Sequence, residues 1–107
     1  MIINLTPHVV NVLSASGKLL AAFPADGTVA RVSVTRVQAG ELAGLPVFRS
    51  EFGAVVGLPE PVPGVAFIVS ALVRLALPGR RDLYSPGELV RGDDGQPVGC
   101  RGLEGQP

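Results

Sequence analysis

The stretch Val65-Ala66-Phe67-Ile68-Val69-Ser70-Ala71-Leu72-Val73-Arg74-Leu75-Ala76-Leu77-Pro78-Gly79 decides the fold class of this chain. Residues 65–69 are apolar without alternation, the pattern of a strand buried on both faces. Ser70 is a residue type that caps helix N-termini, and nothing breaks a helix again before Pro78-Gly79. The spacing therefore predicts a central strand followed by one short helix over about 70–77, with Leu72, Leu75 and Ala76 on its buried face. This apolar run is well short of the roughly 20 residues of a spanning helix, and Arg74 interrupts it.

Upstream, Pro59-Glu60-Pro61-Val62-Pro63-Gly64 reads as a stiff loop. Residues 28–38 alternate, with Ala30, Val32 and Val34 on one face and Arg31, Ser33 and Thr35 on the other. That period of two predicts a strand with one core face and one wet face. Residues 40–46 read as a loop and 47–52 as a further strand, with Arg49 and Glu51 on the same side. Gly53 and Gly57 bracket either a bulged continuation of that strand or half of a hairpin. At the start, residues 2–5 and 9–13 read as two short strands around the interruption Thr6-Pro7-His8, since Pro7 has no N–H for a ladder. A return strand is expected over 18–23 and a turn at Pro24-Ala25-Asp26-Gly27.

Downstream, Tyr84-Ser85-Pro86-Gly87 reads as a turn and 88–91 as a short strand. Gly92-Asp93-Asp94-Gly95 has the Asp-Gly pair of a tight hairpin, with its return strand over 98–103. Residues 104–107 are expected to fray. These elements add up to a β-rich α+β domain spanning 1–107, a small bent sheet or partly closed barrel with one helix packed against it.

Composition narrows the function classes. The chain has 107 residues, 47% hydrophobic and 17% charged, which suits one compact domain and not a disordered chain. Nine basic and nine acidic residues cancel, so the electrostatic footprint of a protein that binds polymeric nucleic acid is missing. Five aromatic residues, mostly in apolar runs, offer no stacking platform. One cysteine, Cys100, and one histidine, His8, exclude a disulfide framework and a multi-ligand Cys/His metal centre. The first residues lack the basic and apolar regions of a signal peptide, so a cytosolic protein with a reduced Cys100 is expected.

Chemistry-bearing residues are few. His8 and Cys100 are the one nucleophile–base pair available, at opposite ends of the chain, and no local motif prepares either. Asp93-Asp94 fits a hairpin tip better than an acid–base pair. No phosphate-loop spacing occurs, and no cofactor is implied. The densest polar feature is Arg80-Arg81-Asp82, just past the predicted helix. Guanidinium groups there complement the free carbonyls of a helix C-terminus. Alternatively, they form an anion site of planar forks, with Asp82 accepting from a sugar hydroxyl or base edge. Tyr84, His8, Arg49 and Arg31 would join such a site if the strands brought them to one rim.

Several phrases line up with a known group. They are Ile3-Asn4-Leu5-Thr6-Pro7-His8, Phe52-Gly53-Ala54-Val55-Val56-Gly57-Leu58-Pro59, Ile68-Val69-Ser70-Ala71-Leu72-Val73, Arg81-Asp82-Leu83, Val90-Arg91, Asp94-Gly95 and Gly99-Cys100-Arg101. Together the chain resembles a family of small bacteriophage and prophage proteins, over nearly its whole length. The family carries no established activity, so no catalytic residue transfers. The resemblance implies a mobile-element setting, in which small proteins that sequester the nucleotide signals of bacterial immunity are one known strategy.

The leading expectation is a non-enzymatic, homo-oligomeric binding protein for a small anionic or nucleotide-like ligand, held by Arg80, Arg81, Asp82, Tyr84, His8 and Arg49. The alternative is a protein–protein interaction module, either an inhibitor of a host enzyme or a minor virion component. A small enzyme using His8, Asp82 or Cys100 is the third.

Overall fold

A computed structural model describes all residues, 1–107. Its elements are β1 (Ile2–Asn4), β2 (Val10–Leu13), β3 (Leu19–Phe23), β4 (Arg31–Leu42), β5 (Leu45–Val56), β6 (Ala66–Ile68), α1 (Ala71–Ala76), β7 (Leu83–Arg91) and β8 (Pro97–Gly105). Six strands form one sheet in the order β1-β6-β7-β8-β2-β3, while β4 and β5 pair only with each other. The fold is β-rich with one short helix, and the six-stranded sheet is nearly closed as a barrel.

Residues 65–69 do occupy the centre. β6 lies between β1 and β7, parallel to both, with Phe67 level with Ile3 and Leu83. Phe67 and Val69 enter one apolar cluster with Leu5, Ala30, Val73 and Leu83. Ile68, pointing the other way, enters a second with Val10, Val12 and Cys100. An unalternating run thus serves a strand with a core on each face.

Asn4 closes the ring of strands. Its backbone carbonyl accepts from Asp26 N at 2.9 Å, and its side-chain Nδ2 donates to the carbonyls of His8 (2.8 Å) and Phe23 (2.9 Å). Its Oδ1 accepts from Thr6 N at 2.9 Å and from Thr6 Oγ1 at 2.6 Å. One buried amide therefore ties β1 to the end of β3 and shapes the Thr6-Pro7-His8 turn.

Five expectations need correction. Residues 40–46 are not a loop, because β4 runs on to Leu42 and turns through Ala43-Gly44 into β5. Both turn residues have positive φ (52° and 81°), as two-residue hairpin turns require, and alanine in that role gives no sequence signal. The alternating face of β4 is core only at its root. Ala30 is buried and Val32 packs on the core, whereas Val34 already overhangs it. Gly53 sits at the bulge in β5, where a Cβ would lie 2.2 Å from Ser33 Oγ.

The helix presents Val73 and Arg74 inward and leaves Leu72 and Leu75 half-exposed. In a helix of six residues one inward direction decides the face. Here Val73 fills the core, while Arg74 donates from Nε to Ser85 Oγ at 2.9 Å. Tyr84-Ser85-Pro86-Gly87 is not a turn but the first half of β7. β6 pairs with β7 only as far as Tyr84, so Pro86 faces no partner on that side and its missing N–H costs nothing.

Residues 104–107 do not fray. β8 continues to Gly105, and Gln106 Nε2 donates to the carbonyls of Arg74 (2.8 Å), Leu77 (3.0 Å) and Arg80 (3.3 Å), capping the helix C-terminus. No helix is long and apolar enough to cross a membrane.

Replacing Asn4 by Ala removes four side-chain hydrogen bonds and takes the amide donor from the Phe23 carbonyl, while the His8 carbonyl keeps Thr6 Oγ1. We expect a loss of about 3 kcal/mol, roughly 12–24 °C in Tm, by differential scanning calorimetry. Asn4→Asp should not restore it, since the two donated bonds become acceptor against acceptor. A loss below about 1 kcal/mol would show that the seam does not depend on this amide.

Candidate functional site

Two hollows meet at the Thr6-Pro7-His8 turn. The larger is an open groove of about 640 Å³ whose lining includes His8, Val10, Asn11, Leu89, Val98 and Cys100. The smaller, about 290 Å³, lies at the root of the β4–β5 ribbon and includes Leu5, Val29, Arg31, Val32 and Leu72. Thr6, Pro7 and Ser70 line both. The pair therefore forms a bent trough around that shared corner, apolar at the Leu89–Val98 end and cationic at the Arg31 end.

Each part has a local cause. Asn4 bends the chain so that Pro7 and His8 project outward, and both are exposed. Ser70 stands at the corner as the helix N-cap, its Oγ accepting from Val73 N at 3.3 Å. Cys100, buried on β8, directs its thiol at the Asn11 carbonyl, 3.6 Å away. The His8 ring makes no hydrogen bond; it is the His8 carbonyl that Asn4 and Thr6 hold. His8 and Cys100 thus come to one groove from opposite ends of the chain, with no third group orienting the imidazole.

Of the six residues expected to hold a ligand, His8 alone lines either of these two hollows. Arg80 and Asp82 form a two-pronged pair, Nε to Oδ1 at 2.9 Å and Nη2 to Oδ2 at 2.8 Å, and Arg80 also donates to the Pro59 carbonyl at 3.0 Å. That arrangement fastens the loop after the helix to the proline-rich loop. Arg81 donates to an oxygen of Pro107. Arg49 pairs with Glu51 at 2.9 Å on the exposed ribbon. The Tyr84 ring lies against Gly105, where an added Cβ would sit 3.2 Å from Cε1.

The chain has eight arginines, and seven have partners inside the molecule. Besides those just described, Arg74 is buried, Arg36 stacks 3.8 Å from the Phe48 ring centroid, Arg91 donates to the Gly95 carbonyl, and Arg101 pairs with Glu88. Arg31 has no hydrogen-bond or ion-pair partner, is exposed, and faces the smaller hollow. In the sequence Arg31 is one of several residues that could join a rim, and nothing there shows that the other arginines are engaged; Ser70 reads purely as a cap.

No family model, curated protein or solved structure matches the chain.

The Arg80–Asp82 pair makes a pH prediction. The hydrogen bond from Arg80 holds the Asp82 carboxyl below its ordinary value, and the same bond raises Arg80. A depressed folded-state value means stability that is full above the unfolded carboxylate value, near 3.9, and lost as pH falls through the folded one. Asp82→Asn should therefore lower Tm at pH 7 by roughly 4–12 °C, for about 1–1.5 kcal/mol, and flatten the acid limb of the Tm–pH curve. Superimposable acid limbs for the two proteins would remove this pair as the cause.

Proposed function

We propose that this protein is a non-enzymatic binder of a small anionic, nucleotide-like ligand, held in the trough that turns around Thr6 and Ser70. The observation that carries this reading is Arg31, the one guanidinium left without a partner, at the cationic end of a hollow otherwise lined by apolar residues and the hydroxyls of Thr6 and Ser70. An exposed planar fork suits a phosphate or carboxylate, which it grips with two parallel hydrogen bonds. The apolar groove beyond the corner offers Pro7, Val9, Leu89 and Val98 as walls for a flat, less polar moiety such as a base. Thr6, Asn11 and Ser70 supply the few hydroxyl and amide groups that fix orientation in such sites.

Arg80, Arg81 and Asp82 are assigned a structural role in this scheme, fastening loops to the helix end. The reading places the protein in the cytosol, where the free thiol of Cys100 stays reduced. Sequestration of a nucleotide signal fits a site with a cation and no oriented nucleophile. The interaction-module reading also has an observation in its favour, the long exposed ribbon of β4 and β5.

A thermal-shift panel of nucleotides, cyclic dinucleotides, ADP-ribose derivatives and inorganic phosphate tests the proposal. A ligand at about 100 times its Kd adds roughly 2.7 kcal/mol, or 11–22 °C for a domain near this size. Arg31→Ala should weaken a responding ligand roughly 10–100-fold, the worth of one charged hydrogen-bonding group. Arg81→Ala should leave its affinity unchanged. A panel without response, or equal binding by the Arg31→Ala variant, overturns the proposal.

A further inference from the structure

β4 and β5 form an arm whose chemistry makes sense only when covered. Each strand has 12 residues, about 40 Å at the rise of extended chain, and neither joins the six-stranded sheet. Two-stranded ribbons are marginal in water without a packed face. Only the root is packed, through Val32 and Val55 against the core. Cross-strand partners share a face, so the pairs Val32–Val55, Val34–Phe52, Arg36–Ser50 and Gln38–Phe48 run in line outward from the core, apolar at the root and mixed beyond it, with Arg36 stacked on Phe48. The opposite face ends in Leu42 and Leu45 at the tip, 69% and 65% exposed, with Val47 behind them.

The molecule's total surface sets the scale of what is missing. A compact monomer of 11.0 kDa exposes roughly 5,600 Å². This chain exposes 6932 Å², with a radius of gyration of 16.3 Å against roughly 13 Å for a compact chain of its length. The excess is about 1,300 Å² per chain, more than the roughly 800 Å² that each partner contributes to a standard stable interface. Doubled, it falls within the range of permanent homodimers. A formal charge of zero leaves no net repulsion between copies.

The same chain carries a concave apolar counterpart. The groove on its body exposes Val9, Leu89 and Val98, each about half open to solvent. We propose that the occupant is a second copy of this chain, with the Leu42/Leu45 tip of each ribbon seated over the groove of its neighbour beside Val9, Leu89 and Val98. The arm then supplies from a neighbour the apolar cover that each body lacks. If contacts are reciprocal the assembly closes as a dimer, and otherwise as a ring. This inference stands on surface area and apolar pairing; the tip would cover the same Val9, Leu89 and Val98 that wall the ligand groove, so tip and ligand compete for that end of the trough.

Sedimentation velocity and light scattering at about 50 µM test it. The wild type should have a mass of twice 11.0 kDa or a higher whole multiple of it. The Leu42→Asp/Leu45→Asp variant should fall to 11.0 kDa with unchanged far-UV circular dichroism. Tip residues touch no core, so loss of folding is not the expected result, and Arg31→Ala should keep the wild-type mass. To locate the contact, Leu45→Cys and Val98→Cys copies, each also Cys100→Ser and carrying different tags, are mixed under mild oxidation. Heterodisulfide formation supports the groove contact. A monomeric wild type, an unaltered mass for the double aspartate variant, or Leu45→Cys cross-linking solely with itself would each overturn the proposal.

Discussion

The buried side chain of Asn4 is the constraint on which the rest of the molecule depends. A primary amide has two donors and an acceptor that takes two bonds, and every one is used within a few residues of the barrel seam. Two of those bonds hold the Phe23 carbonyl at the end of β3 and the His8 carbonyl in the turn before β2, where the sheet nearly closes. The other two fold Thr6 back and turn out Pro7 and His8. The polar network of one residue therefore closes the sheet and shapes the corner of the trough. Buried amides are costly unless satisfied, and this one is satisfied completely.

Much of the sheet was legible in the sequence because apolar runs and turn residues agree there. The apolar run before Ser70, the cap itself, the Asp-Gly hairpin at 92–95 and the β2–β3 return all occur where pattern and turn chemistry coincide. Failure came where a tertiary partner overrode a local signal. Pro86-Gly87 has turn composition, yet it lies in a strand because β6 ends before reaching it. Gln106 looks like part of a loose tail, yet three helix carbonyls lie within its reach. The face of α1 could not be read from six residues, since Arg74 is drawn inward by Ser85 and by the Gly105 carbonyl, neither visible in the helix itself.

The site was less legible than the fold, for a reason specific to arginine. Counting guanidinium groups in a sequence measures supply, whereas a binding site depends on which of them stays unpaired after folding. Arg80-Arg81-Asp82 drew attention because opposite charges sit close in sequence, and that proximity is what lets them satisfy each other. Arg31 lies in an alternating strand and looks like any solvent-facing residue. Its distinction arises from what surrounds it, with Leu5, Val29 and Leu72 around the hollow and no hydrogen-bond or ion-pair partner taken within the chain. His8 lines the groove, whereas Arg49 lies out on the ribbon and Tyr84 in the β7–β8 ladder.

The ribbon shows how the same alternation can mean two things. Val32 and Val34 look alike in a period-two pattern, yet one packs on a core and the other overhangs open space. A strand pattern encodes that a face must be covered, and it is silent on whether the cover comes from the same chain. In this molecule the chain's own core runs out at Val32 and Val55, with most of the ribbon still to come. A sequence that spent those residues on a self-contained core would have ended near the surface area expected of its mass. The larger area, with the exposed leucines at the far end, is what the proposed second copy would cover.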